Sequence, residues 1–330
     1  MNRYEPGYLA LYRSGELEKR VLRLEARLAS CDICPRECRV DRLAGKVGFC
    51  GSGRLVSVAS FAAHRGEEPV LSGSRGSGTI FFSRCNLRCV YCQNHQISQP
   101  PENTVLSEID SHTLAGRLLY LQNELDCHNI NLVTPSLLVP QILRAVLEAV
   151  PLGLRLPLVY NTSSYDSVKT LLELDGVVSV YLADLRYASD GMGLKYSGVP
   201  DYVKHSRAAI LEMYRQVGDL ALDSDGIARK GLIVRHLILP DGIAGSRESL
   251  KWLVGEVSPS VAVSIMSQYY PAHLAALYKE LNRKITLQEY EDVVRLVEEL
   301  GIENGWMQGM DSAETYRPDF AAEEPFQERG

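Results

Sequence analysis

The segment Thr79-Ile-Phe-Phe-Ser-Arg-Cys85-Asn-Leu-Arg-Cys89-Val-Tyr-Cys92 joins an apolar run to a loop that carries three cysteines. The run is rich in β-branched and aromatic residues, which predicts a buried strand over 79–83. Polar groups that follow a parallel strand collect at the carboxyl edge of the sheet. The cysteine loop is therefore the first candidate for chemistry.

Runs of the same kind recur along the chain and alternate with amphipathic segments. This alternation is typical of βα units and a parallel sheet. The predicted strands lie near 79–83, 129–134, 157–161, 178–184, 231–238 and 261–266. The predicted helices lie at 14–30 with Ser14 as its cap, 108–124, 137–149, 166–174, 200–217, 246–256 and 286–300 with Thr286 as its cap. Six repeats are fewer than a closed eight-stranded barrel needs.

The composition is that of an ordinary globular protein. The chain has 330 residues, 45% of them hydrophobic and 23% charged, and its formal net charge is −6. The charges are interspersed, which argues against a nucleic-acid binder that works by counterion release. The sequence shows neither an apolar stretch of about 18 residues nor the apolar core of a signal peptide near its start. We therefore expect a cytoplasmic protein without membrane contact.

Seven of the eight cysteines lie within residues 31–92. In a long chain without an export signal, such crowding favours metal ligation over a disulfide framework. Cys85, Cys89 and Cys92 can each bind one iron of a four-iron cluster, which leaves one iron open to a substrate or cofactor. The alternative is a zinc knuckle that takes His95 as its fourth ligand. Cys127 stands alone and is interpreted as a small buried apolar residue.

A second group, Cys31, Cys34, Cys38 and Cys50, offers four thiolates and can close a metal site completely. Its spacing is compatible with a structural zinc and with a second iron–sulfur cluster that relays electrons.

The pattern Cys85-x3-Cys89-x-Tyr91-Cys92 resembles the signature of radical S-adenosylmethionine (SAM) enzymes. The resemblance is to the uncharacterised branch named after pyruvate formate-lyase activating enzymes. Further matching segments are Gly76–Ser83, Val159–Ser163, Tyr181–Tyr187, Val234–Leu237 and Ile265–Tyr269. The resemblance implies an open, partial (β/α)6 TIM-like barrel.

The resemblance also implies an activity. A [4Fe-4S] cluster would bind SAM at its open iron, and one-electron reduction would yield a 5′-deoxyadenosyl radical that removes hydrogen from a substrate. A reducing partner such as flavodoxin or ferredoxin and a protein substrate, for example a glycyl-radical enzyme, are further implications. The alternatives from other classes are a metal-stabilised binding module without SAM chemistry and a ferredoxin-like electron carrier.

The same resemblance assigns roles to single residues. Tyr91 would lie against the adenine of SAM. Family members commonly bind the SAM amino group with a Gly-Gly-Glu segment, which is absent here. Thr134 and Ser136 are therefore the candidates to accept hydrogen bonds from that amino group. Asn161, Thr162 and Ser163 occupy the place of an Asp-Thr-Asn stretch near the ribose and a monovalent cation, and Asn161 in place of Asp puts that cation in doubt.

The pair Asp184 and Arg186 resembles an Asp-Leu-Lys motif whose basic residue lies near SAM. Arg186 would pair the cofactor carboxylate in bidentate fashion. The alternative is a structural ion pair with Asp184.

Polar residues near the predicted strand ends would surround one mouth. The set comprises Asn131, Thr134, Asn161, Thr162, Asp184, Arg186, Arg235, His236 and Gln268. Arg186 and His236 are the catalytic candidates, and His236 has a buried structural role as its alternative. Arg235 and Gln268 join the candidates for cofactor binding. Tyr269 and Tyr270 could line a pocket or simply pack.

Two charged or flexible runs precede the first predicted strand. The run His64-Arg-Gly-Glu-Glu68 is predicted to be solvated surface, and the alternative is that it contributes a catalytic carboxylate. The glycines at 73, 76 and 78 do not follow a strand and so form no dinucleotide fingerprint; they are interpreted as an entry that lets the backbone approach the cysteine loop.

Three parts are expected along the chain. They are an N-terminal helix with the four-cysteine segment at 1–58, the barrel core at 59–275, and a C-terminal helix with an acidic tail at 276–330.

Overall fold

A computed structural model describes residues 4–101, 103–315 and 318–320. Much of the acidic tail that is predicted to end the chain, at 311–330, lies outside these residues. The strands are β1 (Val56–His64), β2 (Ser77–Phe82), β3 (Glu108–Ile109), β4 (Ile130–Val133), β5 (Leu158–Thr162), β6 (Val180–Asp184), β7 (Ala221–Leu222), β8 (Ala228–Leu237), β9 (Ala262–Met266) and β10 (Gly305–Met307).

The helices alternate with these strands. They are α1 (Gly7–Arg13), α2 (Glu16–Ala26), α3 (Pro69–Ser72), α4 (His95–Ser98), α5 (Ser111–Asn123), α6 (Val139–Ala149), α7 (Val168–Leu171), α8 (Asp190–Ser197), α9 (Tyr202–Val217), α10 (Ser246–Trp252), α11 (Leu287–Glu299) and α12 (Ser312–Thr315). Short 3-10 turns lie at Arg27–Ser30, Pro135–Leu137, Leu172–Leu174, Pro240–Gly242 and Ala275–Leu277, and a π turn at Leu253–Val257 extends α10.

The six predicted strands are β2, β4, β5, β6, β8 and β9, and they lie side by side in chain order, all parallel. Sequential parallel order with helical crossovers is the topology of a β/α barrel, whereas a doubly wound sheet reverses its order in the middle. The predicted fold class, a mixed α/β partial barrel, is therefore confirmed.

Both edges of the sheet carry strands that the sequence pattern did not indicate. On one side β1 pairs antiparallel with β2, and β3 pairs with β1. On the other side β10 extends the sheet in parallel with β9. The expected boundary at 58/59 falls inside β1, and the C-terminal part contributes β10, so the three expected parts share one sheet.

Alternating residues of each strand face opposite sides of the sheet. On β5, Leu158 and Tyr160 belong to the large core that the sheet forms with its helices. Val159, one residue on, belongs to a small second cluster with Val180, Leu182 and Ile233 on the inner face. The inner face is thus apolar at the amino ends of the strands, and polar residues follow at their carboxyl ends.

The predicted helix at 14–30 is interrupted at its start. Ser14 ends α1, and Gly15 precedes α2 with φ of +72°, so Ser14 is not the cap of α2. A residue without Cβ suits this left-handed conformation. α2 packs on α6, where Arg144 and Glu25 form an ion pair of 2.6 Å. The predicted cap Thr286 is confirmed, because it forms a capping box with Glu289 at the start of α11.

In the part of the chain that the structure describes, no helix combines the length and the apolar character that crossing a membrane requires.

Candidate functional site

The cysteine loop follows β2 at the carboxyl end of the sheet, as the sequence predicts. Each thiol has a polar neighbour. The Leu87 N–H donates to Cys85 Sγ at 3.4 Å, Cys89 Sγ lies 3.0 Å from Ser197 Oγ, and Cys92 Sγ lies 3.1 Å from Ser98 Oγ.

The three thiols of this loop are largely buried and close enough to influence one another. Burial raises the pKa of Cys85 to about 12 and that of Cys92 to about 11, and the Cys89 thiol adds to both. The pKa of a thiol falls when it binds a metal, so a metal would displace these protons. Arg186 acts in the same direction, because its charge lowers the pKa of both residues.

The backbone of the loop is held by its surroundings. The Arg88 and Val90 N–H groups donate to the carbonyls of Ser197 and Tyr196 on α8, at 2.8 and 2.9 Å. The buried Asn86 side chain donates to the Tyr165 carbonyl at 2.8 Å. These bonds hold the backbone of the loop against α8 and against the segment of Tyr165.

Arg186 stands beside the loop and already has one partner. Its Nη2 donates to Asp184 Oδ2 at 2.5 Å, whereas its buried Nε has no hydrogen-bond partner. Although burial lowers the pKa of Arg186, the Asp184 carboxylate and the nearby Cys89 raise it well above its ordinary value. The side chain is therefore a permanent cation with an unused donor next to the cysteines. The structural ion pair and the predicted anion-binding role are compatible here.

Polar side chains on the inner face of the sheet lie behind Arg186, and together they are named the polar belt. Arg235 on β8 donates from Nε to Asp184 Oδ1 at 2.8 Å and from Nη2 to Asn161 Oδ1 at 2.7 Å. These contacts bring Asp184, Asn161, Arg235 and Arg186 together, as the strand-end argument predicts. The contacts are also what makes the site electrostatically balanced, because each carboxylate lies against a guanidinium.

The polar belt also contains Glu67, which the sequence analysis predicted to lie on the surface. Glu67 lies in the loop after β1, and its side chain is only 10% exposed. Its Oε2 accepts from the Asn131 amide at 2.8 Å and from the Asn161 amide at 3.3 Å, and its Oε1 lies 3.4 Å from Arg235. The prediction of a solvated run holds for Arg65 and Gly66, which are exposed. It is wrong for Glu67, because its carboxylate reaches polar side chains on the inner face of the sheet.

Glu68 is also buried, and it accepts a hydrogen bond from the indole of Trp306. Burial raises its pKa to about 7, and the neighbouring Glu67 adds to the rise. No local pattern marks Glu67, Glu68 or Trp306 as interior residues, because the contacts join segments far apart in the sequence.

The structure does not bring His236 to the mouth. Its side chain is fully buried and faces the helices, with Nδ1 2.8 Å from the Leu185 carbonyl and Nε2 2.9 Å from Ser246 Oγ at the start of α10. Burial lowers its pKa to about 4. Both ring nitrogens are occupied, which corresponds to the structural alternative and not to the catalytic one.

Thr162 and Ser136 belong to a buried network on the helix side of the sheet. Their hydroxyls lie 3.1 Å apart, and Thr162 donates to Asp166 Oδ2 at 2.5 Å. Thr134 adopts a left-handed backbone with φ of +61° before the turn at Pro135–Leu137. Ser163 offers its carbonyl to the hydroxyl of Tyr202 at 3.0 Å. The SAM-binding roles assigned to these four residues stay predictions.

Tyr91 belongs to the cysteine loop, and Gln268 contacts the residue that follows it. The Tyr91 hydroxyl lies 2.6 Å from that of Tyr187, and its ring meets Tyr269 edge-on, so Tyr269 packs there. Gln268 donates to Gln93 Oε1 at 3.1 Å, and Gln93 follows the last cysteine of the loop. The adenine contact of Tyr91 stays a prediction.

The N-terminal cysteines also come together. The pKa of Cys34 rises to about 12, chiefly by burial and then by the charges of Cys50, Cys31 and Cys38. A Cβ at Gly48 would lie 2.4 Å from Cys38 Sγ, so only glycine leaves room for this thiol. Four thiolates are a donor set of the kind that binds a metal group, and which group this segment binds stays a prediction.

Among the described residues, no three or more His, Cys, Asp or Glu side chains are arranged to hold a single metal ion. A four-iron cluster has a different requirement, because each thiolate binds a separate iron. His95 does not face the three cysteines as a fourth ligand: its Nδ1 lies 3.2 Å from the Cys92 carbonyl, and its ring stacks on His273.

The glycine run does not adjoin the cysteine loop. Cβ atoms at Gly73 and Gly78 would meet His128 and Asn129 at the amino end of β4, the opposite end of the sheet. The interpretation as an entry to the loop is therefore wrong; the glycines allow the β1–β2 connection to pack closely there. Cys127, at the same end, is buried as predicted.

Fold and site together define a class: an open β/α barrel with a three-thiol loop and an unsatisfied guanidinium at the carboxyl ends of its strands. No family model matches the chain. It is 29% identical over 280 residues to an uncharacterised protein of Methanocaldococcus jannaschii, covering 83% of this chain and 76% of that relative.

The chain is similar to several solved structures, of which two are the following. A domain of a pyruvate-formate lyase-activating enzyme from Bacteroides vulgatus is 11% identical with a TM-score of 0.34, over 47% of this chain and 82% of that one. Streptococcus suis SuiB, crystallised with S-adenosylmethionine, is 10% identical with a TM-score of 0.45, over 68% of this chain and 48% of that one. The first is of the kind that the sequence resemblance names. Likenesses at these TM-scores support no inference about this chain.

Proposed function

We propose that this protein is a radical SAM enzyme. Cys85, Cys89 and Cys92 would hold a [4Fe-4S] cluster whose fourth iron binds SAM, and this pair supplies, on one-electron reduction, a 5′-deoxyadenosyl radical that removes hydrogen from a substrate. The observation that carries the proposal is the meeting of these thiols with Arg186, whose buried Nε lacks a partner.

The chain's own residues would orient the cofactor. A carboxylate placed against the free Nε of Arg186 would gain a charge-assisted hydrogen bond beside the cysteine loop. Arg235 balances the Asp184 carboxylate at 2.8 Å, so Arg186 can share its charge with a second anion without leaving Asp184 unpaired. The belt therefore holds Arg186 beside the cysteine loop and leaves its Nε available to a second anion.

The aromatic side chains around Tyr91 would exclude water. Tyr91, Tyr187 and Tyr269 are each at most 3% exposed and form one wall next to the loop. Exclusion of water by these side chains protects a reactive intermediate from side reactions. For the substrate we propose a glycyl-radical protein, on the resemblance to activating enzymes, with flavodoxin or ferredoxin as the electron donor.

The test is anaerobic reconstitution with iron and sulfide. We expect a brown protein that releases 5′-deoxyadenosine from SAM when reduced with dithionite. Cys89→Ala should abolish this release, whereas the matched control Cys127→Ala, which lies at the far end of the barrel, should retain it. A colourless protein that holds zinc alone would instead favour a metal-stabilised binding module.

A further inference from the structure

A chain of buried hydroxyl groups ends on the sulfur of Cys89. The Tyr91 hydroxyl lies 2.6 Å from the Tyr187 hydroxyl, which in turn lies 2.7 Å from Ser197 Oγ. Ser197 Oγ lies 3.0 Å from Cys89 Sγ. All four residues are buried, and Tyr187 and Ser197 are 0% exposed. Three hydroxyls in series, here named the hydroxyl chain, therefore reach a cysteine of the loop through the protein interior.

Ser197 is held against the loop by the backbone of its own helix. It is the last residue of α8, and its carbonyl accepts from the Arg88 N–H at 2.8 Å. The preceding carbonyl, that of Tyr196, accepts from the Val90 N–H at 2.9 Å. The end of α8 is thus bonded to the residues on both sides of Cys89. This double attachment keeps the serine hydroxyl within reach of the sulfur.

The direction of every hydrogen bond in the hydroxyl chain is fixed once Cys89 binds a metal. A metal-bound cysteine is a thiolate, which has no proton to donate. Ser197 then donates to Cys89 Sγ, so its oxygen accepts from the Tyr187 hydroxyl. The Tyr187 oxygen accepts in turn from the Tyr91 hydroxyl. Bonds that run in one direction along such a chain polarise and strengthen one another.

The other two sulfurs of the loop have simpler surroundings. Cys85 Sγ accepts from the Leu87 backbone N–H at 3.4 Å, and Cys92 Sγ lies 3.1 Å from Ser98 Oγ. Within the described part of the chain, the Ser98 hydroxyl has no hydrogen bond to a second side chain. Only the sulfur of Cys89, of these three, has a series of side-chain donors behind its first hydrogen-bond partner among the described residues.

A hydrogen bond to a ligating sulfur favours the form of an iron–sulfur site that carries more negative charge. One-electron reduction adds one negative charge to the irons, sulfides and thiolates together, so a donor stabilises the reduced form more than the oxidised form. Such bonds are among the factors that set the reduction potential. A bond to a charged acceptor is stronger when it is buried, as it is at Ser197.

We propose that Ser197 raises the reduction potential of the cluster site by donating a hydrogen bond to Cys89, and that Tyr187 is the positioning residue that orients the Ser197 hydroxyl. The hydroxyl chain makes the site easier to reduce by one electron, which an external reductant supplies. This inference rests on the proposed function, because it requires an iron–sulfur cluster on Cys85, Cys89 and Cys92.

The experiment uses the reconstituted full-length protein without SAM. The midpoint potential is measured by anaerobic titration with dithionite, followed by the electron paramagnetic resonance signal of the reduced cluster, and iron is counted for every variant. The variants are Ser197→Ala and Tyr187→Phe, and the second keeps the ring that meets Tyr202 edge-on. The matched control is Ser258→Ala, because this buried serine also donates to an anion, Asp219 Oδ1 at 3.0 Å, but precedes the amino end of β9.

We expect Ser197→Ala to lower the equilibrium constant for one-electron reduction ~10-fold, which makes the midpoint potential ~59 mV more negative. Tyr187→Phe should shift the potential in the same direction by less, because Ser197 keeps its hydroxyl but loses the donor that orients it. Ser258→Ala should keep the wild-type potential.

Wild-type potentials in both chain variants at wild-type iron content, or a shift to more positive values, would overturn the inference. If Ser197→Ala binds no iron, the potential of Tyr187→Phe decides. Wild type that forms no cluster overturns the inference together with the proposed function. Wild type that forms the cluster but releases no 5′-deoxyadenosine refutes the proposed function alone, because the potentials of the variants are measured without SAM.

Discussion

Replacement of Arg235 by Gln tests whether the charged residues of the polar belt are energetically coupled. Arg235 bonds Asp184, Asn161 and Glu67 at 2.8, 2.7 and 3.4 Å, and its side chain is 16% exposed. Removing one partner of a buried ion pair costs about 3–5 kcal/mol, because the remaining charge loses its compensation.

The structure places the expected cost of Arg235→Gln at the low end of that range. Asp184 keeps its bond to Arg186, and Glu67 keeps the amide donors of Asn131 and Asn161. The free energy of unfolding should therefore fall by about 3 kcal/mol at pH 7. Glu67→Gln removes the charge that Arg235 compensates, so the double variant should be more stable than the sum of the single changes predicts, by about 1 kcal/mol or more.

Urea unfolding followed by circular dichroism gives these free energies of unfolding. The comparison requires that the m-value, the slope of the free energy against urea concentration, is the same in each variant. Arg247→Gln is the matched control, because Arg247 pairs with Glu299 at an exposed site, and it should change stability by at most about 0.5 kcal/mol. A loss of less than about 1 kcal/mol in Arg235→Gln, or strict additivity with Glu67→Gln, would refute the belt as a coupled unit.

Three further predictions concern single residues. His236 has a folded-state pKa of about 4 against 6.5 in the unfolded chain, so the unfolded state takes up the proton first and stability falls as pH drops below 6.5; urea titrations should show a loss of about 2 kcal/mol between pH 7 and pH 5 that is absent in His236→Gln. Gly48→Ala places a Cβ 2.4 Å from Cys38 Sγ and should lower the metal bound per chain, measured by elemental analysis, whereas Gly53→Ala meets nothing within 4 Å and should not; equal metal contents would contradict this role of Gly48. Thr286→Ala removes the capping box of α11 and should cost about 1 kcal/mol in thermal or urea unfolding, with Thr286→Ser near the wild type; an unchanged alanine variant would show that the cap contributes nothing.

The sequence by itself determined the parallel sheet and the position of the cysteine loop. Strand β5 was predicted at 157–161 and lies at Leu158–Thr162, because an apolar run between turn signals is a local property of the chain. The loop of Cys85, Cys89 and Cys92 must follow β2 for the same reason, since only two residues separate the strand from the first cysteine. Both results depend on interactions between near neighbours in the sequence.

Only the tertiary structure decided which polar residues share the inner face. Glu67 meets Asn131, Asn161 and Arg235, which lie 64, 94 and 168 residues further along the chain. His236 and Arg235 are adjacent, yet alternation of side chains along a strand sends one toward the helices and the other into the barrel. Register and loop path fix such contacts, and both follow from packing across the whole sheet, because no local pattern encodes which distant strand or loop a side chain will meet.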